Sequence, residues 1–377
     1  YEIVNGRKIR IRPKETVSEI DKNGYFRRQP NHFTTPFGDG ENDLKAEGNK
    51  RYRLVWAKLC HWSNRAAIVR ELEGLEDQIS VNMVEHAPHE KNLGWEYVYN
   101  ENNIDPVLGD QFLSEAYYRA DDDYQGRTTV PALIDTTTGK VVNNDYNWLT
   151  TYFEINFRPW HKKGAPELYP VELREEIDKM NLWLFDNINN AVYRSSFSRS
   201  NEGHFDGVNT FYAAMDRLEK RLETNRFLFG DYVTDSDIRL YVTLARLDIR
   251  YTAQLGETKR PLYTYKNLWG YAKELWEIPA FAHHTDFAAI IRQGRIEGEE
   301  DGFRASTHYD LALPKIDWDA QWKVSTERAY LSSDPTHPIY LGNNRRFDID
   351  PTWYDLGAES PKKEEKETPP SCGCCCG

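Results

Sequence analysis

The sequence predicts an α/β domain followed by an all-α domain within one chain of 377 residues. Residues 51–86 alternate between strand and helix patterns, and residues 128–145 have the pattern of two short strands joined by a turn. Between about residues 170 and 292, apolar side chains instead recur at helical spacing. Because this length exceeds that of an ordinary single domain, it favours two domains with extensions.

The first 49 residues predict an extension and not a domain. They are polar and rich in turn-forming residues, and they show no sustained periodicity. We expect the phenylalanine and tyrosine side chains of this segment to hold it against the domain that follows.

Residues 50–155 are expected to form the α/β domain. Its first strand, RYRLVWAKL, places apolar side chains on one face and leads into a turn at Cys60. The helical pattern AAIVRELEGL follows and stops at Gly74, and ISVNMVEH has the pattern of a second strand. A strand, turn, helix and strand with a cysteine at the helix start predict a thioredoxin-like domain.

A hairpin is expected to complete the sheet of this domain. The segment TTVPALIDTTTGKVVNND contains two short strand patterns around a Thr-Gly turn. Within it, Val130 and Pro131 match the position of the cis-proline in thioredoxin-like folds, where the preceding residue offers backbone hydrogen bonds to the cysteinyl part of a thiol ligand. The alternative is an ordinary proline at a strand edge.

Residues 165–300 are expected to form the all-helical domain. The clearest single helical face consists of Val208, Phe211, Tyr212, Met215, Leu218 and Leu222. In VTDSDI, Thr234 can cap a helix and Asp237 can reach back to the N–H group of the cap, a short variant of the capping box. Residues 301–357 are assigned to a C-terminal extension, and residues 358–377 to a flexible, charged linker with a Cys-rich tail.

Composition and charge exclude several classes of function. The formal charge of -12 opposes binding to nucleic acids and to anionic membrane surfaces. No run approaches the roughly 18 apolar residues of a membrane helix, and the N-terminus has no apolar signal segment, so a cytoplasmic location is expected. Four of the five cysteines lie in the last six residues, which is not the disulfide framework of a secreted protein.

Cys60 is the one cysteine outside the tail. At the start of a helix, the first-turn N–H groups and the helix dipole favour the thiolate form over the thiol. Cys60 is therefore a candidate nucleophile, and the alternative is a buried structural cysteine.

Seven separated motifs carry a family resemblance. They are FRRQP (26–30), LCHWSNRA (59–66), GRTTVPALID (126–135), VVNND (141–145), NNAVYRSSF (189–197), RFLFGDYVTDSDIRL (226–240) and NLWGYAKELW (267–276). In this order they resemble the Xi-class glutathione transferases, which are glutathionyl-hydroquinone reductases.

The resemblance implies a thioredoxin-like domain, a helical glutathione-transferase domain and a homodimer. It also implies that Cys60 removes glutathione from a glutathionylated hydroquinone. The thiolate attacks the thioether sulfur, and a second thiol resolves the resulting mixed disulfide. The expected ligands are therefore glutathione, or another low-molecular-weight thiol, and an aromatic conjugate or disulfide.

The motif at the cysteine departs from that of the family. The family has Cys-Pro-Trp-Ala, whereas this chain has Cys60, His61, Trp62 and Ser63. Trp62 keeps its place among the thiol-binding positions. His61 is expected either to favour the thiolate when protonated or to face solvent. Because Ser63 cannot resolve a disulfide, the second thiol must come from outside or from the tail.

Other thiol-binding positions follow from the resemblance. Trp95 and Arg127 match glutathione contacts, with Arg127 available for a carboxylate, although a core aromatic and a surface salt bridge are the alternatives. The family grips the γ-glutamyl end with a Glu-Ser pair, where this chain has Asp145 and Tyr146. Asp145 keeps an acceptor for an ammonium group, but Tyr146 replaces a small hydroxyl residue with a bulky ring.

The aromatic substrate is expected between two tyrosines of the helical domain. Tyr193 and Tyr251 match aromatic positions that face the hydroquinone in the family, and each could donate a hydrogen bond to a substrate oxygen. The alternative for each is an ordinary half-buried packing residue.

The tail SCGCCCG has no counterpart in the family. Its thiols, Cys372, Cys374, Cys375 and Cys376, suit soft metals such as Cu(I) or Zn(II), although they do not form a standard zinc pattern. Alternatively, they supply a resolving thiol to Cys60 across a linker that reaches about 20 Å, or serve as an attachment point.

Two functions therefore stay open at the level of sequence. One is a thiol-dependent reductase or transferase with Cys60 as the nucleophile. The other is a non-catalytic glutathione-transferase-like scaffold that binds a metal or a partner through the Cys-rich tail.

Overall fold

A computed structural model describes residues 1–11, 18–87, 93–251, 255, 260–291, 317–323 and 328–332. Of the predicted C-terminal extension, 301–357, the described part comprises a short helix, Trp318–Trp322, with flanking residues and a 3-10 turn, Arg328–Leu331. The predicted linker and tail, 358–377, lie outside the described residues. The domain boundaries stay predictions.

The N-terminal segment contains a small hairpin that its sequence pattern did not predict. Strand β1 (Glu2–Val4) pairs antiparallel with β2 (Arg7–Ile9) around an Asn-Gly turn. Strands of three residues are too short to show periodicity, although Asn-Gly is a strong hairpin signal. Phe26 and Phe37 are both buried, which confirms that aromatic side chains hold this segment on the protein.

The strand, helix and strand around Cys60 form as predicted. Strand β3 (Tyr52–Trp56) lies parallel to β4 (Ile79–Met83), and helix α1 (His61–Leu72) connects them. The helix begins directly after Cys60, five residues before the apolar run that predicted it, and this places the cysteine at its N-cap.

A mixed four-stranded sheet is the centre of the first domain. Beyond the short pair β5 (Glu85–His86) and β6 (Trp95–Glu96), helix α2 (Leu113–Ala120) precedes the predicted hairpin of β7 (Ala132–Asp135) and β8 (Lys140–Asn143). The strand order is β4-β3-β7-β8, with β7 antiparallel to both β3 and β8. Helix α3 (Leu149–Ile155) follows the sheet, and the arrangement confirms the thioredoxin-like domain.

The second domain is helical. Its helices are α4 (Arg174–Leu184), α5 (Ala191–Phe197), α6 (Asn201–Arg221), α7 (Asp235–Arg246), α8 (Lys266–Trp276) and α9 (Pro279–His283). The apolar face predicted for α6 is buried, and the predicted capping box of α7 is present, since Thr234 N–H donates to the Asp237 carboxylate at 2.8 Å. No helix in the described ranges is both long enough and apolar enough to cross a bilayer.

The two domains share one hydrophobic core. Leu54 and Ile68 of the first domain belong to the same buried cluster as Leu240 and Leu244 of α7. Because α7 packs against α1, residues at the start of α1 lie at the junction of the two domains. This junction contains Cys60.

Candidate active site

The thiol of Cys60 lies at the N-cap of α1, next to the turn before β7. The Cys60 carbonyl accepts the first helical hydrogen bond from Asn64 N–H at 3.0 Å, so the side chain stands beside the free N–H groups of the first turn. The Cys60 Sγ donates to the carbonyl oxygen of Val130 at 3.7 Å, and the bond from Val130 to Pro131 is cis. Cys60 is half-buried and has no disulfide partner among the described residues.

A cavity of about 630 Å³ opens beside Cys60. This volume falls within the range of small-molecule sites. Of the predicted site residues, those on its wall are Cys60, Trp62, Trp95, Arg127, Val130, Tyr146 and Tyr193. Pro131, Asp145 and Tyr251 are not on this wall. The fold therefore gathers most of the predicted positions around one space.

Tyr193 faces the cavity, whereas Tyr251 lies one layer behind it. The two rings are 6.3 Å apart, and the two hydroxyl groups are hydrogen-bonded. Burial, followed by the nearby Cys60, raises the pKa of Tyr193, so its hydroxyl stays protonated at neutral pH. Tyr251 is buried against His61 and does not lie on the wall of this cavity, where the sequence analysis expected it.

Arg127 is not available for a ligand carboxylate in the way the sequence suggested. Its guanidinium makes a two-pronged ion pair with both carboxylate oxygens of Glu19, each at 2.8 Å. Burial opposes the charge on Glu19, but the hydrogen bond and charge of Arg127 outweigh it, and the net result is a lowered pKa. The alternative of a salt bridge is correct, and its partner comes from the N-terminal segment.

Asp145 and Tyr146 also interact with other residues of the protein. Asp145 is buried and accepts hydrogen bonds from the Asn31 side chain at 2.9 Å and the Asn147 N–H group at 3.0 Å. The Tyr146 ring packs on Trp62 with centroids 4.7 Å apart. Tyr146 thus forms part of an aromatic wall and does not offer a small hydroxyl at a helix start.

Trp95 contributes a flat aromatic surface to the cavity wall. Its ring stacks on His86 at a centroid distance of 3.7 Å, which joins β5 to β6. This stacked pair lines the cavity and gives an aromatic face for a ligand.

His61 neither faces solvent nor carries a charge, so both expectations for it are wrong. The ring is buried at 1% exposure, and its Nδ1 lies 3.0 Å from Thr243 Oγ1 of α7. Burial, and then the charge of Arg246 and other arginines, hold the pKa of His61 well below its usual value. In this chain, the residue that follows the cysteine joins the two domains as a neutral ring.

We expect His61 to make stability depend on pH below about 6.5. The unfolded chain binds a proton at this histidine and the folded protein does not, so unfolding becomes more favourable as pH falls. The excess unfolding free energy of wild type over His61→Gln should decrease by up to about 1.4 kcal/mol per pH unit between pH 6 and pH 5. Urea titrations of both proteins measure this, and parallel pH profiles would show that the imidazole is protonated in the fold.

Arg246 of α7 fixes the turn that precedes Cys60, and no sequence motif indicated this. Its fully buried guanidinium donates from Nε to the Leu59 carbonyl at 2.6 Å and from Nη2 to the Lys58 carbonyl at 2.7 Å. It also donates to Asn64 Oδ1 at 3.2 Å, within α1. A side chain of the helical domain therefore holds the backbone before the cysteine and also contacts a side chain of the helix that follows it.

Arg28 lies on the cavity wall, and the sequence analysis assigned it no role although it belongs to the FRRQP motif. Its guanidinium lies over the rings of Trp62 and Tyr193, at 4.5 and 4.4 Å from their centroids. These contacts join the N-terminal segment to both domains, and no local pattern in the sequence predicts contacts between such distant segments. The position of Arg28 in the FRRQP motif was the one feature that could have identified it.

Comparison with known proteins places the site in a family. Residues 192–274 match the model of the glutathione S-transferase C-terminal domain. Glutathione S-transferase omega-like 2 of Schizosaccharomyces pombe is 35% identical over 71% of this chain and 88% of its own length. Glutathionyl-hydroquinone reductase YqjG of Escherichia coli is 33% identical over 64% of this chain and 73% of its own length. The structure of the Xi glutathione S-transferase of Phanerochaete chrysosporium superposes with a TM-score of 0.66 at 33% identity, covering 72% of this chain and 88% of that one.

The chain belongs to the Xi-class glutathione transferase family. The glutathione-bound structure of the Escherichia coli protein matches this transferase with a TM-score of 0.66 at 29% identity, over 81% of this chain and 97% of that one. The family assignment confirms the predicted resemblance and the predicted fold.

No group of three or more His, Cys, Asp or Glu side chains in the described part of this transferase is arranged to hold a metal ion. The four tail thiols considered for metal binding or for disulfide exchange, Cys372, Cys374, Cys375 and Cys376, lie outside the described residues.

Proposed function

We propose that this protein is a glutathione-dependent reductase that removes the thiol from glutathionyl-hydroquinones, with Cys60 as the nucleophile. The observation that carries the proposal is the position of the Cys60 sulfur, at the N-cap of α1 and on the wall of a cavity that also contains Tyr193. The Escherichia coli relative is named for this reaction.

The first step is nucleophilic attack by the Cys60 thiolate on the sulfur of the conjugate. The new bond joins the two sulfurs, the carbon–sulfur bond breaks, and its electron pair stays on the aromatic carbon, which takes a proton from water. A free glutathione thiolate then attacks the mixed disulfide and leaves as glutathione disulfide, which restores the Cys60 thiolate. The first-turn N–H groups of α1 favour the anionic sulfur in both steps.

Tyr193 is proposed to orient the aromatic part of the substrate. Its protonated hydroxyl can donate a hydrogen bond to a hydroquinone oxygen, and the bond with Tyr251 fixes its direction. The ring faces of Trp62 and Tyr146 lie beside it and provide a surface for stacking.

Turnover of a defined conjugate tests this proposal. We expect the purified full-length protein, supplied with glutathionyl-menadiol and excess glutathione, to release menadiol and glutathione disulfide in equal amounts. Without added glutathione, it should gain one glutathionyl group at Cys60, visible by peptide mass spectrometry and removed by reduction. A folded protein that gives neither product nor adduct would overturn the assignment. The homodimer and the cytoplasmic location stay predictions.

A further inference from the structure

We propose that Arg28 binds a carboxylate group of the ligand in the Cys60 cavity and so selects carboxylate-bearing ligands. The site consists of the Arg28 guanidinium and the neighbouring rings of Trp62 and Tyr193. This inference deepens the proposed function, on which it rests, by naming the chemistry of the ligand.

The terminal nitrogens of Arg28 lack acceptors among the described residues. Its Nε donates to Asn190 Oδ1 at 2.8 Å, which sets the plane of the guanidinium. Nη2 is buried and has no hydrogen-bond partner in the described part of the chain, and no acceptor there bonds to Nη1. Buried donors of a charged group are costly when they are unpaired, because they have lost water without gaining an acceptor.

Within the part of the chain that the structure describes, no acidic side chain forms a hydrogen bond with Arg28. Both oxygens of the nearest wall acid, Glu19, already bind Arg127. Arg199, which is exposed at the cavity wall, makes no ion pair with the described residues. The wall is therefore positive in a protein of formal charge -12, and this local field favours entry of an anion.

The shape of the site favours a flat anion. The rings of Trp62 and Tyr193 lie next to the guanidinium, with centroids 4.5 and 4.4 Å from it, and take up part of the space around it. A guanidinium is planar and carries parallel N–H groups, a geometry that matches the two oxygens of one carboxylate. Because Arg127 is already paired, Arg28 is the better receptor for such a group.

The carboxylate could belong to the thiol or to the aromatic part of a conjugate, since Arg28 contacts residues next to the proposed positions of both. Trp62 follows Cys60 by two residues, and Tyr193 is the proposed contact of the aromatic ring. Binding measurements with paired ligands separate the two sources. One pair is glutathione and its diethyl ester, and the other is 4-hydroxybenzoate and its methyl ester.

Equilibrium binding to the wild-type protein and to Arg28→Met tests the site. We expect the wild type to bind at least one of the two acids about tenfold more tightly than its ester, and Arg28→Met to lose that preference, because a charge-assisted hydrogen bond contributes roughly 1.5–3 kcal/mol. Met keeps an unbranched apolar chain next to the two rings. The control Arg27→Met alters an adjacent, exposed arginine that pairs with Asp21 and should leave binding unchanged.

Each outcome decides the proposal. A preference for glutathione alone assigns the carboxylate to the thiol, and a preference for 4-hydroxybenzoate alone assigns it to the aromatic substrate. Equal binding of acids and esters by the wild type would overturn the site even if the variant failed to fold, and so would a preference that survives in Arg28→Met. Since binding at equilibrium requires no turnover, loss of this inference is distinguishable from loss of the proposed reaction.

Discussion

Replacing Cys60 with serine should reduce turnover of a glutathionyl-hydroquinone by on the order of a thousandfold or more. A serine hydroxyl is not ionised at neutral pH, and it cannot form the disulfide through which glutathione leaves. The fold should tolerate the change, because the Cys60 side chain is half-buried and its one hydrogen bond in the described structure is the 3.7 Å contact with Val130. Steady-state release of menadiol measures the activity, and thermal unfolding measures the fold.

The matched control replaces the other four cysteines. A variant with serine at Cys372, Cys374, Cys375 and Cys376 should keep wild-type turnover when glutathione is in excess, because free glutathione then resolves the mixed disulfide. If this variant loses activity as Cys60→Ser does, the resolving thiol resides in the tail. Full activity of a folded Cys60→Ser protein would contradict the assignment of the nucleophile.

The fold was predictable because its signals are local. The apolar alternation before Cys60 and the Thr-Gly turn after Pro131 identified the strands of the sheet, and the spacing of apolar residues from Val208 to Leu222 identified α6. Each of these patterns depends on one element and its neighbour. Shorter elements do not contain enough residues to show such a pattern, and the hairpin of β1 and β2 was therefore not predicted.

The sequence predicted the surroundings of a site residue only where its neighbours along the chain determine them. Cys60 at a helix start and Val130 before a proline follow from their own neighbours in sequence. The states of Arg127 and His61 do not, because each depends on a residue more than 100 positions away, Glu19 in one case and Thr243 in the other. A sequence motif can identify such a side chain as a candidate, but it cannot show that the side chain already forms hydrogen bonds with another part of the protein.

Arg246 is the residue through which the helical domain holds the cysteine turn, and its replacement should have the largest effect on stability. Arg246→Met should lower the free energy of unfolding by about 2–5 kcal/mol, because each acceptor left without its donor costs roughly 1–3 kcal/mol. The methionine fills similar space but leaves the carbonyl oxygens of Lys58 and Leu59, the second of them buried, without their donors. The Asn64 side chain loses a second contact, so the start of α1 and the turn before it should loosen together.

Urea unfolding of the full-length protein, followed by tryptophan fluorescence and by circular dichroism, measures this loss. The control Arg217→Met replaces an arginine of α6 that is half-buried and makes no hydrogen bond or ion pair within the described residues, so its effect should stay within about 0.5 kcal/mol. Arg246→Lys should recover only part of the loss, because one ammonium group cannot reach both carbonyls and Asn64 in the planar geometry of a guanidinium. Equal stability of Arg246→Met and Arg217→Met would show that packing of α7 on α1, and not these hydrogen bonds, holds the turn. In that case Cys60 would owe its position to the shared hydrophobic core alone.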